Sequence, residues 1–521
     1  MLQENPTHNI KNARLGLIVL LALIFIALLL RTGWVADDAY ITMRTVDNFT
    51  HGYGLTWNTD ERVQAYTHPL WMFLLTAAYL VTHDAYWATL GPSLLFSALT
   101  MAVFLAGSPA GEGSLLLGWA ILLLSNAFVD YSTSGLENAG SHLIAIAFAI
   151  LYLRERQSFS DRDVFLLSLL AGLAAFNRTD TLLIFIPALT FILLSGPSLR
   201  RAALVLAGFT PFILWEIFSL IYYGFLLPNT YYAKLNTGIA ESILLRRGLL
   251  YFLNSLLRDP LTLIVIGWAL FFSFAGDRKD RVLAGGIVAY LAYIAYIGGD
   301  FMSGRYFSIP LLLSAYLLVR HLRLASPAYQ GIALALVIAL GLVAPVPSFL
   351  QPSQFSANFA GVDDEQAWYY PYTGLSHLGP HHPLPDQEQE WVVLGRRLRE
   401  NGQKVYVVPV TGFIAYYAGP QVHIIDRFAL GDALLARLPI PADSNWRAGH
   451  FKRFLPMGYE ATFSKGQNNI KDPSLAEYYS HLSQIIRGPI WSKERWLAIW
   501  RMNTGGYDYL IQQYLANAPD F

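Results

Sequence analysis

The sequence predicts a polytopic α-helical membrane protein, on three observations. Of its 521 residues, 54% are hydrophobic and only 14% charged, against roughly 25% charged in soluble globular domains. The mean hydropathy is +0.39. Apolar runs of about 15 to 20 residues, close to what a bilayer-spanning helix requires, recur along the first two thirds of the chain. Length alone would suggest three or four soluble domains. The composition overrides that prior and excludes a soluble enzyme. Lys+Arg and Asp+Glu both number 36, so no net field favours nucleic acid or a polyacidic partner. With no cysteine, structural disulfides, thiolate metal sites and a Cys nucleophile are excluded, and any compartment is compatible.

The first run, Leu15 to Leu30, follows Lys11 and Arg14 and has no small-residue cleavage site before Trp34, so a retained helix is expected. Ten more runs lie near 87–106, 114–130, 139–153, 164–177, 181–197, 202–222, 259–275, 282–298, 306–319 and 330–349, predicting about eleven spans. With the N-terminus inside, the inner loops carry Arg154, Arg156 and Arg162, then Arg200 and Arg201, then Arg278, Lys279 and Arg281, then Arg320 and Arg323. Every dense basic loop then obeys the positive-inside rule. That parity requires the short apolar stretch Leu70 to Val81 to be an interfacial or re-entrant helix rather than a span.

Two domains are expected: a transmembrane module over 1–351, with a first outer loop at 32–86, and a soluble α/β domain over 352–521. After Leu350, Pro, His, Trp, Tyr and charged residues become frequent, and odd parity puts this part outside, in the periplasm or its equivalent. Within it, Trp391 to Arg399 reads as a helix, Lys404 to Val410 as a buried strand, Gly412 to Gly419 as a short helix and Gln421 to Asp426 as a second strand, a βαβ-like order. Neither G-x-G-x-x-G nor G-x-x-x-x-G-K-[ST] occurs, so nucleotide binding has no local signature.

Inside the spans Glu216 is the main ionisable residue, which is too few for a proton relay. The polar groups gather instead at expected outer helix ends. Asp37 and Asp38 follow the first span. One reading makes Asp37 the N-terminal cap of an interfacial helix; the other makes one of the pair a general base for a sugar hydroxyl. Tyr66, His68, Pro69 and Trp71 suit either an aromatic membrane-interface anchor or a sugar-stacking wall with His68 as hydroxyl ligand. Glu137 is either a helix-dipole charge or a substrate ligand. Lys234, in Leu227-Pro-Asn229-Thr-Tyr-Tyr232-Ala-Lys234, and Arg305, in Gly298-Gly-Asp300-Phe-Met-Ser-Gly-Arg305, run against the positive-inside trend. They either snorkel to headgroups or pair with a lipid-linked phosphate. No metal-ligand spacing or G-x-S-x-G elbow is present. No cofactor is expected, and a divalent metal is left open.

An acidic pair outside the first helix, many spans and an outward C-terminal part resemble the GT-C glycosyltransferases. The segments Asp37-Asp38-Ala-Tyr-Ile41, Gly52-Tyr-Gly-Leu-Thr-Trp57-Asn58, Glu61-Arg-Val-Gln-Ala-Tyr66-Thr-His68-Pro-Leu-Trp71, Asp426-Arg-Phe-Ala-Leu-Gly-Asp432 and Gly449-His450-Phe-Lys-Arg453, with the two loops above, are similar to the mycobacterial terminal β-(1→2) arabinofuranosyltransferase group and its relatives. The resemblance implies a donor like decaprenyl-phosphoryl arabinofuranose and a cell-envelope glycan or glycoprotein acceptor. It also implies catalysis by a first-loop aspartate, Asp37 with Asp38 orienting, and a donor phosphate held by Lys234, Arg305 and Arg178. Tyr66, His68, Trp71, Glu137, Asn229, Tyr232 and Asp300 would line the substrate. A polytopic transporter or flippase of lipid-linked sugars, and a GT-C enzyme for another sugar such as mannose, are the competing readings.

Overall fold

The computed structural model describes residues 6–108, 111–156, 158–350, 359–377, 389–408, 410–441 and 446–517. It is predominantly helical, and by packing it resolves into two units assembled from separated stretches of chain.

Unit 1 comprises Met1–Ala36, Thr89–Pro211 and Glu241–Pro385. Its helices begin where the sequence supplies caps. Ser160 and Asp163 form a reciprocal capping box ahead of Asp161–Asn177, Asp259 and Pro260 start Pro260–Ala275, and Ser326 and Pro327 start Pro327–Val343. Ser308–Leu322 is buried from Ser308 through Val319, which matches a sequence that is apolar all round. Gly248 lets the helix Glu241–Arg258 approach Arg278–Tyr296 closely, since a Cβ there would lie 2.0 Å from the Ala295 carbonyl oxygen. Residues 359–377, beyond the last expected span, pack in this unit: Tyr369 stacks on Trp34 with ring centres 6.2 Å apart, and the Thr373 hydroxyl donates to the Val35 carbonyl at 2.8 Å.

Each of the eleven apolar runs falls on helix. Two helical stretches, Asn12–Thr32 and Ala85–Gly107, are individually long and apolar enough to cross a membrane, and three bent pairs raise that number to five among the described residues. The breaks follow from side chains. At Ser125 the hydroxyl accepts from the Phe128 N–H and starts a new helix, so Glu112–Leu124 and Asn126–Ser132 meet at 74°. Asp259 and Pro260 produce a 108° bend in the same way.

Unit 2 comprises Asp37–Ala88, Phe212–Ala240 and Asp386–Phe521. It contains the helices Asp37–Thr50 and Pro69–Thr82, the latter 14 residues long as its short apolar run suggested. The expected βαβ order is present: Glu390–Glu400, then β1 (Val405–Val408), the helix Gly412–Ala418 and β2 (His423–Asp426), with β1 and β2 parallel and Val405 opposite His423. Residue 409, within the expected first strand, lies outside the described residues. Two hydrophobic clusters hold the unit. In one, Ile41, Trp57 and Ala65 pack with Ile414, Ile424 and Val408. In the other, Val63, Phe225 and Ala233 pack with Leu434, Leu482 and Ile485. The first loop and the chain after 386 therefore share their cores, through contacts that no local sequence pattern records.

Candidate functional site

Asp37 opens the helix Asp37–Thr50, and its carboxylate faces the start of a different one. Its Oδ2 accepts from the Gly412 N–H at 3.0 Å and its Oδ1 from the Phe413 N–H at 2.6 Å. These are unsatisfied donors at the head of Gly412–Ala418, so Asp37 caps that helix across the fold. The fit requires glycine at 412, where a Cβ would lie 1.9 Å from the Asp37 carbonyl oxygen. Tyr40, one turn on, packs its ring 4.6 Å from that of Phe413. Asp37 is only 3% exposed, whereas Asp38 is half-exposed. Burial pushes the Asp37 carboxyl up to about 7, against the two N–H donors and with Asp38 adding to the rise.

A residue that sequence reasoning missed completes this support. Arg44 lies on the same helix, fully buried, and donates from Nε to the Trp57 carbonyl at 2.7 Å and from Nη2 to the Val422 carbonyl at 2.8 Å. It also meets the Ala415 carbonyl, at the C-terminal half of the helix that Asp37 caps. Arg44 thus clamps one end of that helix and Asp37 the other. The available signal was its placement seven residues after Asp37, on the same helical face.

The remaining first-loop candidates are arranged around hydrogen bonds within unit 2. His68 Nε2 lies 2.8 Å from the Thr42 hydroxyl. The Tyr66 hydroxyl lies 3.0 Å from that of Tyr223, and Trp71 is wholly buried. Asn229 donates its amide to the carbonyls of Ala429, Leu430 and Asp432 at 2.9–3.1 Å. Tyr232 is half-buried beside the Arg437 guanidinium, 4.6 Å from the ring centre.

Lys234 is half-buried, and a second half-buried cation, Arg447, was not anticipated although it stands two residues before the Gly449-His450 segment. Arg447 Nη2 lies 3.3 Å from His450 Nε2. Burial, then Arg447 and Lys234, keep His450 well below its ordinary pKa and so uncharged. The aspartates of the 426–432 segment are internal. Asp426 accepts from Thr411, Phe428, Leu430 and Gly431. Asp432 accepts from the Leu435 N–H and the Tyr459 hydroxyl. Burial, with the Glu61 charge, pushes Asp432 up to about 7.

Raised carboxyls make stability depend on pH. From about pH 4 to 7 folded Asp37 and Asp432 hold protons that the unfolded chain releases near 3.8, so stability falls as pH rises through this window. Each group contributes up to about 1.4 kcal/mol per pH unit. Thermal melts of the solubilised protein at pH 5 and pH 7.5 should show a smaller difference in an Asp37→Asn/Asp432→Asn double variant than in the parent; equal differences would reject the linkage.

In unit 1 the structure brings together Glu137, Arg178, Asp180, Asp300 and Arg305, all from helix ends. Glu137 precedes Asn138–Tyr152, Arg178 follows Asp161–Asn177, and Arg305 begins the turn into Ser308–Leu322. Glu137, 0% exposed, pairs with Arg178 and accepts from Arg305 Nη2 at 3.0 and 3.2 Å. Arg178 also forks onto Asp180 at 2.9 and 3.0 Å, and Arg305 Nη1 lies 3.6 Å from Asp300. Burial opposes both cations, yet Asp180 and Glu137 hold Arg178, and Glu137 and Asp300 hold Arg305, above the ordinary arginine pKa. Three carboxylates surround two guanidinium groups, so the ionised cluster is negative on balance. Among the described residues no group of three or more His, Asp or Glu is placed to hold a metal ion.

No family model matches the chain. Two curated proteins do. A terminal β-(1→2)-arabinofuranosyltransferase of Mycobacterium tuberculosis is 30% identical over 330 residues, 53% of this chain and 51% of that protein. Its namesake in Corynebacterium glutamicum is 25% identical over 407 residues, 67% of this chain and 57% of that protein. Among solved structures, ArnT from Cupriavidus metallidurans bound to undecaprenyl phosphate aligns with a TM-score of 0.43 at 15% identity, covering 81% of this chain and 76% of its own. The chain spans little more than half the length of the two curated relatives. The resemblance carried by the sequence motifs is borne out as a similarity: the chain is similar in sequence to two terminal β-(1→2)-arabinofuranosyltransferases.

Proposed function

We propose that this chain is a membrane glycosyltransferase that moves a sugar, arabinofuranose first among the candidates, from a polyprenyl-phosphate donor to a cell-envelope glycan. Homology to two proteins named for arabinofuranosyl transfer supports the reaction class. The observation that carries the site is the unequal setting of the acidic pair: Asp37 is engaged as a helix cap, and Asp38 beside it is half-exposed. Asp38 is then the base and Asp37 the residue that positions it, the reverse of the order first expected within the pair. In the reaction Asp38 takes the proton of the acceptor hydroxyl, the hydroxyl oxygen bonds to the anomeric carbon, and the bond from that carbon to the phosphate oxygen breaks with its electron pair leaving on the phosphate.

The charge that develops on the phosphate needs a cation. Arg178 and Arg305 stand among three carboxylates, a setting that opposes an anion. Lys234 and Arg447, two half-buried cations beside His450, are the groups proposed for the lipid phosphate. Tyr232, half-buried, and His68 beside the Thr42 hydroxyl remain the sugar-facing candidates, while the hydrogen-bonded Tyr66 and Asn229 and the wholly buried Trp71 support the loop. The same proposal keeps about eleven spans and an extracytoplasmic active site, because a polyprenyl chain stays in lipid while its phosphate meets polar groups at the rim. The deciding experiment is a panel of polyprenyl-phosphate donors carrying arabinofuranose, mannose, glucose or galactosamine, presented to the detergent-solubilised protein with a glycan acceptor. Transfer of arabinofuranose is expected. Transfer of mannose alone would change the sugar, and transfer from none of the four would overturn the reading.

A further inference from the structure

A cavity of about 460 Å³ lies within unit 2, away from the acidic pair in sequence, and of its lining residues Tyr232 alone is among the sugar-facing candidates of the proposed reaction. Its floor holds Arg437 between two aromatic rings, with the guanidinium carbon 4.3 Å from the Phe225 ring centre and 4.6 Å from that of Tyr232. Tyr478 and Met502, both buried, add apolar surface. Arg437 is 9% exposed, and no ion pair ties it to a carboxylate among the described residues. Its Nη1 donates to the Asn229 side-chain oxygen and the Ala433 carbonyl, which fixes the group in place. The rim carries Asn236, Asn503, Asp508 and Gln512, all exposed. The Asn503 amide nitrogen donates to the Gly224 and Ile499 carbonyls, so what Asn503 offers a ligand is its oxygen.

The chemistry of this lining selects a ligand class. A bound anion would meet Asp508 at the rim, and a bound cation would meet Arg437 on the floor. A neutral polyol faces neither penalty, because each hydroxyl both donates and accepts. Asp508 and the Asn503 oxygen accept, Arg437 donates, and Gln512 does both. The aromatic rings provide apolar surface for the C–H face of a sugar ring. The volume falls in the range of small-ligand pockets. We propose that this cavity binds one or two units of a neutral sugar chain. Its use as a subsite that holds the acceptor glycan rests on the transferase reading; sugar binding itself does not.

Met502 in the cavity wall provides a local probe, and Met43 on the Asp37 helix reports separately on the acidic pair. The full chain, with methionine methyl groups labelled with ¹³C, is titrated with an arabinofuranose disaccharide, with maltose and with glucuronate. A saturable shift of the Met502 resonance by a neutral sugar is expected, weakened about tenfold or more by Asp508→Asn with Gln512→Ala; both sites are exposed, so the melting temperature should hold. Arg437→Met should remove the shift, and the weakening expected of the rim variant keeps the test decisive if Arg437→Met fails to fold. The proposal is overturned by silence of Met502 to both neutral sugars, by an undiminished shift in the rim variant, or by tighter binding of glucuronate. Asp38→Asn should leave the Met502 response intact, so a failure of the transferase reading is separable from a failure of this one.

Discussion

Asp38→Asn is expected to lower sugar transfer by ~10² to 10⁴-fold, the usual contribution of a general base, without changing the melting temperature. Asparagine keeps the shape of the side chain and removes its ability to take a proton. Asp37→Asn should behave differently. Asp37 accepts two backbone N–H groups with its two oxygens, and an amide can satisfy only one while pointing its own N–H₂ at the other. That substitution removes a helix cap, which costs about 0.5–2 kcal/mol, and transfer should fall mainly through displacement of Asp38. Rates and melts of both variants separate the roles. Lost transfer at an unchanged melting temperature in Asp37→Asn, together with an active Asp38→Asn, would exchange the assignments.

Glu137→Gln is expected to give the largest loss of stability. The carboxylate is wholly buried and neutralises parts of two guanidinium groups at once, those of Arg178 and Arg305. Removing one member of a buried ion-pair network costs about 3–5 kcal/mol, because the remaining charges are left desolvated. A fall of several degrees in the melting temperature should follow. Adding Arg178→Met to Glu137→Gln should cost less than the two single changes together, since it removes one of the stranded cations. A strictly additive double variant would mean that the pair is not coupled. The Asn138 and Asn177 side chains tie the same helix ends together beside this cluster, and failure of the cluster should loosen the segments around Glu137 and Arg305.

Much of this was legible beforehand, for identifiable reasons. Hydrophobic run length gave every helix of unit 1 that follows an apolar stretch, because burial in lipid or in a protein core imposes the same composition. The β1–helix–β2 order was readable because strand alternation and a glycine at each end of the short helix are local signals. The short Pro69–Thr82 helix was readable from length. Breaks at Ser125 and Asp259 were not, since a Ser or Asp within an apolar run looks like a tolerated polar residue until its hydroxyl or carboxylate is seen capping the next helix.

For the site, sequence spacing could nominate Asp37, Asp38, Glu137, Arg178 and Arg305 but not their partners. That the Asp37 carboxylate lies against Gly412 and Phe413, or that Arg44 reaches Ala415 and Val422, depends on contacts more than 370 residues apart along the chain. The residue types, their order and the apolar periodicity therefore determined a predominantly helical chain with long apolar segments and polar groups gathered at helix ends, because those properties follow from near-neighbour physics. Only the tertiary structure decided which of two adjacent aspartates is bound up in a cap and which arginines are neutralised, because hydrogen-bond partners and desolvation are set by what folding brings alongside each group.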